Sequence, residues 1–298
     1  MSDKLFESPN KYIYMTYNKN IPDKVIKRWK NYNIDYTVDL SLDKDCIDFL
    51  EKNFNSNISN LFKGIFRGAH KADLWRLCKL YLNSGTYADV DLVPYFCIDD
   101  LDKNITFYSC LSIDGKGIFQ ALMVNFSKPK HPIFLVFLIS FIINRPDKSH
   151  WIGPTFDMYN CIKYSLNVNK LYPDKKYEID YLKIKIPIGS STENIKIIDL
   201  YYFPDDVKYT IKLHQDNPHN DRFDIKINNN YLIVKRIDVD CGWGHNHIVD
   251  ICFPCKTSFY FFKERIIGDD IVNCYVTHKN EKILDCRDAE YHNNGGSW

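Results

Sequence analysis

The segment 67–94, RGAHKADLWRLCKLYLNSGTYADVDLVP, constrains the fold of this chain more than any other stretch. Apolar side chains recur at helical spacing over residues 70–83, and Gly85 follows where such a helix would end. Residues 87–93 are rich in β-type side chains and are stopped by Pro94, which predicts a strand. A helix that leads directly into a strand is typical of an α/β domain.

The same alternation runs through roughly the first half of the chain. Strand-like and helix-like runs follow one another at residues 11–15, 24–31, 43–53 and 133–143. The last run is apolar on all sides, which predicts a buried helix, and it is too short to span a bilayer. We therefore predict an α/β fold without a transmembrane segment.

The pattern changes after about Pro204, where short β-type runs alternate with turn signals. Residues 224–239, DIKINNNYLIVKRIDV, carry an Asn-rich turn between two alternating segments. Residues 256–266, KTSFYFFKERI, predict a further strand. We predict a β-rich insertion over residues 205–286.

The charges nearly cancel, because 39 Lys plus Arg against 38 Asp plus Glu leave a net charge of +1. Nucleic-acid binders usually carry a basic excess, so we expect no nucleic-acid partner. The first residues, MSDKLFESPNKY, lack the apolar core of a signal peptide. We therefore expect a cytoplasmic protein whose ten cysteines are reduced thiols.

The helix–turn–strand segment also carries the strongest chemical signal. Asp73 and Arg76 are three residues apart on the predicted helix and share a face. On the predicted strand, Tyr87, Asp89 and Asp91 alternate onto one side, with the two aspartates about 7 Å apart at Cα. Their carboxylates suit Mn²⁺ or Mg²⁺ on a diphosphate, and the guanidinium suits a phosphate or a partner of Asp73.

An Asp-x-Asp triplet alone is a weak signal. Residues 238–240 form a second triplet that lacks the preceding helix and the glycine turn. The context of the first triplet therefore carries the prediction of a metal site at Asp89 and Asp91.

With this context, the segment resembles the sugar-binding region containing the Asp-x-Asp motif of glycosyltransferase family 32, a family similar to the large clostridial toxin glucosyltransferases. The matching residues are Ala72, Asp73, Arg76, Gly85, Tyr87, Asp89 and Asp91. The chain departs from the family at Ser84, where the family prefers glycine. The resemblance implies a GT-A type domain, with Asp73, Arg76 and Tyr87 around the donor.

Further segments extend the resemblance. YIYMTYNKNIPDKVIKRW, at residues 12–29, implies a nucleotide-base site near Thr16 and Tyr17, and VNFSKPKHPIF implies that Asn125 contacts the donor sugar. The resemblance covers residues 1–204 and 287–298, which implies one domain interrupted by the insertion.

The chain ends in YHNNGGSW, which resembles the terminal His…Ser-Trp element of the family. It implies that His292 is a third metal ligand and that Ser297 and Trp298 bind the donor. A neutral imidazole is also a good Mn²⁺ ligand beside two carboxylates. The alternative is a frayed terminus, as is usual for Gly-rich tails.

A second metal site is conceivable inside the predicted insertion. Its residues would be Cys241, His245, His247, Cys252 and Cys255. The spacing fits no standard zinc finger, so the alternative of buried thiols and surface histidines stays open.

The sequence thus predicts a metal-dependent, retaining hexosyltransferase. It would move a sugar from a nucleotide-diphosphate sugar, with a UDP-sugar expected ahead of a GDP-sugar, to a glycan or protein acceptor. The divalent ion, held by Asp89, Asp91 and His292, would stabilise the leaving nucleotide. The alternatives are a catalytically inactive carbohydrate- or partner-binding protein on the same scaffold, and an insertion that recognises the acceptor.

Overall fold

The computed structural model describes residues 10–54, 56–143, 153–188, 195–199, 210–213, 223–228, 231–236, 247–267 and 270–286. The helices are α1 (Asp23–Tyr32), α2 (Asp43–Asn53), α3 (Ser56–Gly64), α4 (Gly68–Asn83), α5 (Pro132–Ile143) and α6 (Gly153–Leu166). A short 3₁₀ helix spans Ile98–Asp100.

The strands of the first half are β1 (Tyr12–Tyr17), β2 (Thr37–Leu42), β3 (Gly85–Ala88), β4 (Val93–Pro94), β5 (Phe107–Leu111) and β6 (Ile118–Asn125). Those of the second half are β7 (Lys176–Ile188), β8 (Ile195–Asp199), β9 (Thr210–Leu213), β10 (Phe223–Asn228), β11 (Tyr231–Arg236), β12 (His247–Ile267), β13 (Asp270–His278) and β14 (Glu281–Asp285).

One mixed sheet organises the molecule, in the order β2-β1-β3-β6-β5-β12-β13-β14-β4. The first three strands are parallel, β6 is antiparallel to β3 and β5, and β12 is parallel to β5. The carboxyl ends of β1, β2 and β3 therefore lie at one edge, where open α/β sheets commonly bind ligands.

Each face of this sheet carries its own apolar core, because side chains alternate along a strand. Tyr14 packs with α4 and α5 in one cluster, whereas Ile13 and Met15 pack with α1 in the other. The apolar run of α5 is buried, with Ile133 and Phe134 fully inaccessible, as the sequence predicts.

The predicted helices and the alternating α/β order are confirmed. The strand predicted over residues 87–93 is wrong in its extent, since β3 ends at Ala88. A turn follows, closed by the bond from the Leu92 amide to the Asp89 carbonyl at 3.3 Å. The sequence reasoning also missed α3, although Ile58, Leu61 and Phe62 have helical spacing.

The segment 205–286 contributes to two sheets. Strands β10 and β11 pair with β8 in a small three-stranded sheet, and the antiparallel pairing of β10 with β11 agrees with the two segments predicted on either side of the Asn-rich turn. Strands β12 to β14 join the main sheet, where Phe259 and Phe261 pack into the core. The division into domains stays a prediction.

No helix within the described ranges is long and apolar enough to cross a membrane.

Candidate active site

The turn between α4 and β3 sets the position of the site. Ser84 and Gly85 both have positive φ, at 52° and 93°. A Cβ on Gly85 would lie 3.1 Å from the Tyr12 carbonyl oxygen and 3.1 Å from the ring of Tyr14. Only glycine allows so close an approach at this φ, so Gly85 lets β3 turn back from α4 to pair with β1.

Arg76 lies at the centre of the cluster that α4 and β3 bring together. Its Nη2 is 3.3 Å from Asp73 Oδ1 and 3.5 Å from Asp89 Oδ1. Its Nε donates to the Ala72 carbonyl at 3.2 Å and its Nη1 to the Gln120 carbonyl at 2.5 Å. The side chain is only 4% exposed, so this guanidinium is fixed by protein contacts in several directions.

The aromatic ring of Tyr87 supports both charged groups. The guanidinium carbon of Arg76 lies 4.3 Å from the ring centroid, within cation–π range. The Tyr87 hydroxyl donates to Asp89 Oδ1 at 2.6 Å. Among the described residues, the side-chain contacts of Asp89 fall on Oδ1, while its amide donates to the Ala121 carbonyl at 2.8 Å. The Asp89 carboxylate is thereby held in one orientation.

The electrostatics of the cluster follow from its burial. Burial raises the pKa of Asp73 above its ordinary value, although the nearby Arg76 charge opposes this shift. Burial also raises the pKa of Tyr87, which keeps its hydroxyl a donor. Burial opposes the charge on Arg76 as well, but Tyr87 and Asp89 raise its pKa and keep the guanidinium charged.

Asp91 lies in the turn after β3 and is only 6% exposed. Because β3 ends at Ala88, the predicted alternation of Tyr87, Asp89 and Asp91 along one strand is wrong. The turn still keeps Asp91 within electrostatic reach of Arg76.

The donor set fits a hard divalent cation. The carboxyl groups of Asp73, Asp89 and Asp91 all lie within electrostatic reach of the Arg76 guanidinium. Carboxylate oxygens are the ligands that Mg²⁺ and Mn²⁺ prefer. Asp89 and Asp91 could contribute such oxygens from the turn.

A small open cleft lies at the carboxyl end of β1. Its lining residues are Thr16, Tyr17, Asn18, Asp43, Phe62, Gly68, Lys71 and Ala72. Thr16 and Tyr17 therefore lie at a concave surface, and their role at a nucleotide base stays a prediction. Ala72 immediately precedes Asp73 on α4, so the cleft and the Arg76 cluster adjoin along one helix.

The sequence analysis did not identify three further residues that line the cleft, Asp43, Phe62 and Lys71. Lys71 Nζ lies 2.9 Å from Asp43 Oδ2 and 5.2 Å from the ring centroid of Phe62. Phe62 comes from α3, which the sequence prediction lacked. The helical spacing of residues 58–62 was the available signal.

Asn125 is fully buried and is held by the protein. Its Nδ2 donates to the Leu80 carbonyl at 3.4 Å, and its Oδ1 accepts from the Ser127 amide at 2.9 Å and hydroxyl at 2.6 Å. These bonds fix the end of β6 opposite Gly85. The predicted contact of Asn125 with the donor sugar stays a prediction.

Three predicted site residues, His292, Ser297 and Trp298, lie outside the described residues. Two of the possible zinc ligands, Cys241 and His245, lie outside them as well.

A third possible zinc ligand, Cys255, is buried beside His131 and Thr257. Its Sγ is 2.8 Å from Thr257 Oγ1 and 3.9 Å from each ring nitrogen of His131. Burial lowers the pKa of His131 to about 4 and raises that of Cys255 to about 11. This pair is therefore a neutral thiol beside a neutral imidazole.

Comparison with known proteins bears on the same segment. Residues 14–108 match a family model described as the glycosyltransferase sugar-binding region containing the DXD motif. A solved structure entitled "PaToxG Glycosyltransferase" is similar at 19% identity, over 52% of this chain and 69% of that chain, with a TM-score of 0.41. No curated protein matches the chain significantly. The matched residues hold β1 to β3, α4 and the Asp89–Asp91 turn, and this part of the chain is similar to the DXD-containing sugar-binding region of glycosyltransferases.

Proposed function

We propose that this chain is a metal-dependent glycosyltransferase, which transfers a hexose, with retention, from a nucleotide-diphosphate sugar. The observation that carries this proposal is the adjacency of two sites along α4. The cleft at Thr16 and Tyr17 adjoins a buried cluster of three carboxyl groups around one guanidinium. The cleft would take the nucleoside and the diphosphate, and the carboxylates would hold the divalent cation that the diphosphate also binds.

The N-terminal half of α4 indicates how the nucleotide-sugar donor would be oriented along this helix. Gly68, Lys71 and Ala72 face the cleft, and the first turn of this helix carries no acidic side chain. Anions are stabilised near a helix N-terminus, which favours the diphosphate there. Asp73 and Arg76, one turn further along, are then placed for the sugar. We propose that Thr16 and Tyr17 contact the base and Asn125 the sugar side.

The metal site would be formed by Asp89, Asp91 and His292, with Mn²⁺ ahead of Mg²⁺. When bound, the ion supplies charge stabilisation to the leaving nucleotide diphosphate. Tyr87 and Arg76 hold Asp89 Oδ1, so the carboxylate does not need to reorganise when a ligand arrives. Ser297 and Trp298 would close the donor site from the chain end.

The cellular setting belongs to the same proposal. Cysteines 46, 78, 97, 110, 161, 255, 274 and 286 of the described part are free, which suits a reducing compartment such as the cytoplasm. The acceptor would be a glycan or a protein, and a UDP-sugar is the expected donor ahead of a GDP-sugar.

Hydrolysis of a panel of UDP- and GDP-sugars in the presence of Mn²⁺ tests the proposal. We expect one donor class to be hydrolysed, EDTA to abolish the reaction and Mn²⁺ to restore it. The double variant Asp89→Ala/Asp91→Ala should be inactive, and Asp238→Ala/Asp240→Ala is its matched control at the second Asp-x-Asp triplet. Activity of the first variant equal to that of the control would refute the assignment.

Two further measurements test the retention of anomeric configuration and the presence of catalytic activity separately. The anomeric configuration of the first product, observed by NMR, should equal that of the donor if transfer occurs with retention. A chain that binds a nucleotide sugar by calorimetry but hydrolyses none would instead be the inactive binding protein that the sequence left as an alternative.

A further inference from the structure

Two thiols and a carboxyl group lie close together at strands β12 to β14, towards the end of the main sheet that is far from β1. The ligand atoms of Glu264, Cys274 and Cys286 all lie within 4.8 Å of one another. Glu264 belongs to β12, Cys274 to β13, and Cys286 directly follows β14. The Cys286 amide donates to the Cys274 carbonyl at 3.0 Å, so the two cysteines face each other across the β13–β14 hairpin.

The surroundings of this group are apolar. Phe262 shares a strand face with Glu264, and Val276, Leu284 and Cys286 belong to the same buried cluster. A carboxyl group on such a face carries a desolvation cost unless it gains partners. The backbone amide of Ile113 donates a hydrogen bond to Glu264 Oε2 at 2.7 Å.

Thiolates and carboxylates bind metals in their deprotonated forms, so a thiophilic cation bound to this group would displace the protons of its ligands.

We propose that Glu264, Cys274 and Cys286 bind one Zn²⁺ ion. In a tetrahedral zinc site, Zn–S distances of about 2.3 Å place two sulfur atoms about 3.8 Å apart. The present separations, at most 4.8 Å, need changes of only about 1 Å to reach that geometry. A water molecule would complete the coordination. Soft sulfur ligands distinguish this site from the carboxylate site at Asp89 and Asp91.

The position of the site gives the ion a structural role. Strand β14 pairs with β4, where Asp285 lies opposite Val93, two residues after Asp91. The Tyr95 hydroxyl donates to Asp285 Oδ2 at 2.5 Å. Zinc at Cys274 and Cys286 would lock the hairpin that supports the residues following the Asp89–Asp91 turn.

The decisive experiment uses the full chain, purified under reducing conditions and loaded with Co²⁺ in place of zinc. Thiolate ligation gives Co²⁺ an intense sulfur-to-metal charge-transfer absorption that oxygen ligands do not give. We expect this absorption in the wild type and in Asp89→Ala/Asp91→Ala. It should disappear in Cys274→Ser and in Cys286→Ser. The matched control Cys97→Ser removes a free cysteine elsewhere and should retain it.

Zinc content after dialysis provides the second measurement. We expect about one equivalent in the wild type and less than about a tenth in Cys286→Ser. Glu264→Gln should weaken zinc binding while keeping the charge-transfer absorption. Wild-type protein that folds by circular dichroism without zinc or the cobalt absorption would overturn the proposal. A Cys274–Cys286 disulfide found by mass spectrometry, or absorption lost only in Cys241→Ser/Cys252→Ser, would overturn it as well.

Discussion

The hydrogen bond from Tyr87 to Asp89 allows a sharp test of how the site is preorganised. The substitution Tyr87→Phe removes one hydroxyl and keeps the ring that lies under Arg76. A hydrogen bond to an ionised group contributes about 1.5–3 kcal/mol, so we expect Tyr87→Phe to lower the free energy of unfolding by about 2 kcal/mol. For a chain of 298 residues that corresponds to a fall in Tm of roughly 3 °C.

The matched control is Tyr108→Phe. Tyr108 is also buried, but its hydroxyl donates to the neutral Asp102 carbonyl at 2.9 Å, away from the Arg76 cluster. We expect the control to lose about 1 kcal/mol, as is usual for a hydrogen bond between neutral groups. Urea denaturation followed by tryptophan fluorescence measures both variants.

The functional effect should separate the two variants further. Loss of a group that orients a metal ligand typically weakens metal affinity or activity by about 10–100-fold. We therefore expect Tyr87→Phe to need more Mn²⁺ for half-maximal donor hydrolysis, and Tyr108→Phe to keep the wild-type requirement. An unchanged Mn²⁺ requirement in Tyr87→Phe, or equal losses in the two variants, would refute the argument that this hydroxyl positions Asp89.

Two further predictions concern the backbone and pH. Gly85→Ala should lower the free energy of unfolding by about 2–4 kcal/mol, because the φ of Gly85 is positive and a Cβ there would meet the Tyr12 carbonyl. The control Gly64→Ala places its Cβ in open space and should change the free energy of unfolding by less than about 1 kcal/mol. Urea denaturation compares the two variants, and equal values would contradict the backbone strain at Gly85. His131 has its pKa lowered by burial from 6.5 to about 4, so the unfolded chain takes up a proton first as pH falls. Stability should therefore drop by about 2 kcal/mol between about pH 7 and about pH 5, and His131→Gln should flatten this slope in urea denaturation at the two pH values.

Features that depend on neighbouring residues can be predicted from the amino-acid sequence. Helical spacing located α4, and a continuous apolar run located α5, because both signals lie in the side chains of the helix itself. The short range of the Asp73, Arg76 and Gly85 spacing also made the site recognisable, since one helix, one turn and one strand carry most of it.

The tertiary structure decided where β3 ends. The propensity of residues 87–93 favours a longer strand, but pairing with β6 stops at Ala88 opposite Leu122, and the Asp89 amide binds the Ala121 carbonyl. The turn that carries Asp91 therefore depends on a strand more than thirty residues away, which local propensity does not contain.

Contacts across greater distances in the chain were also decided only by the tertiary structure. Arg76 is fixed by the Gln120 carbonyl, and β12 pairs with β5 although 152 residues separate Phe259 from Phe107. Glu264, Cys274 and Cys286 lie close together because strand pairing brings them onto one face, and their spacing in the sequence does not predict this cluster. Local patterns determine which element forms, while strand pairing determines which side chains meet, because pairing partners are chosen by the packing of the whole sheet.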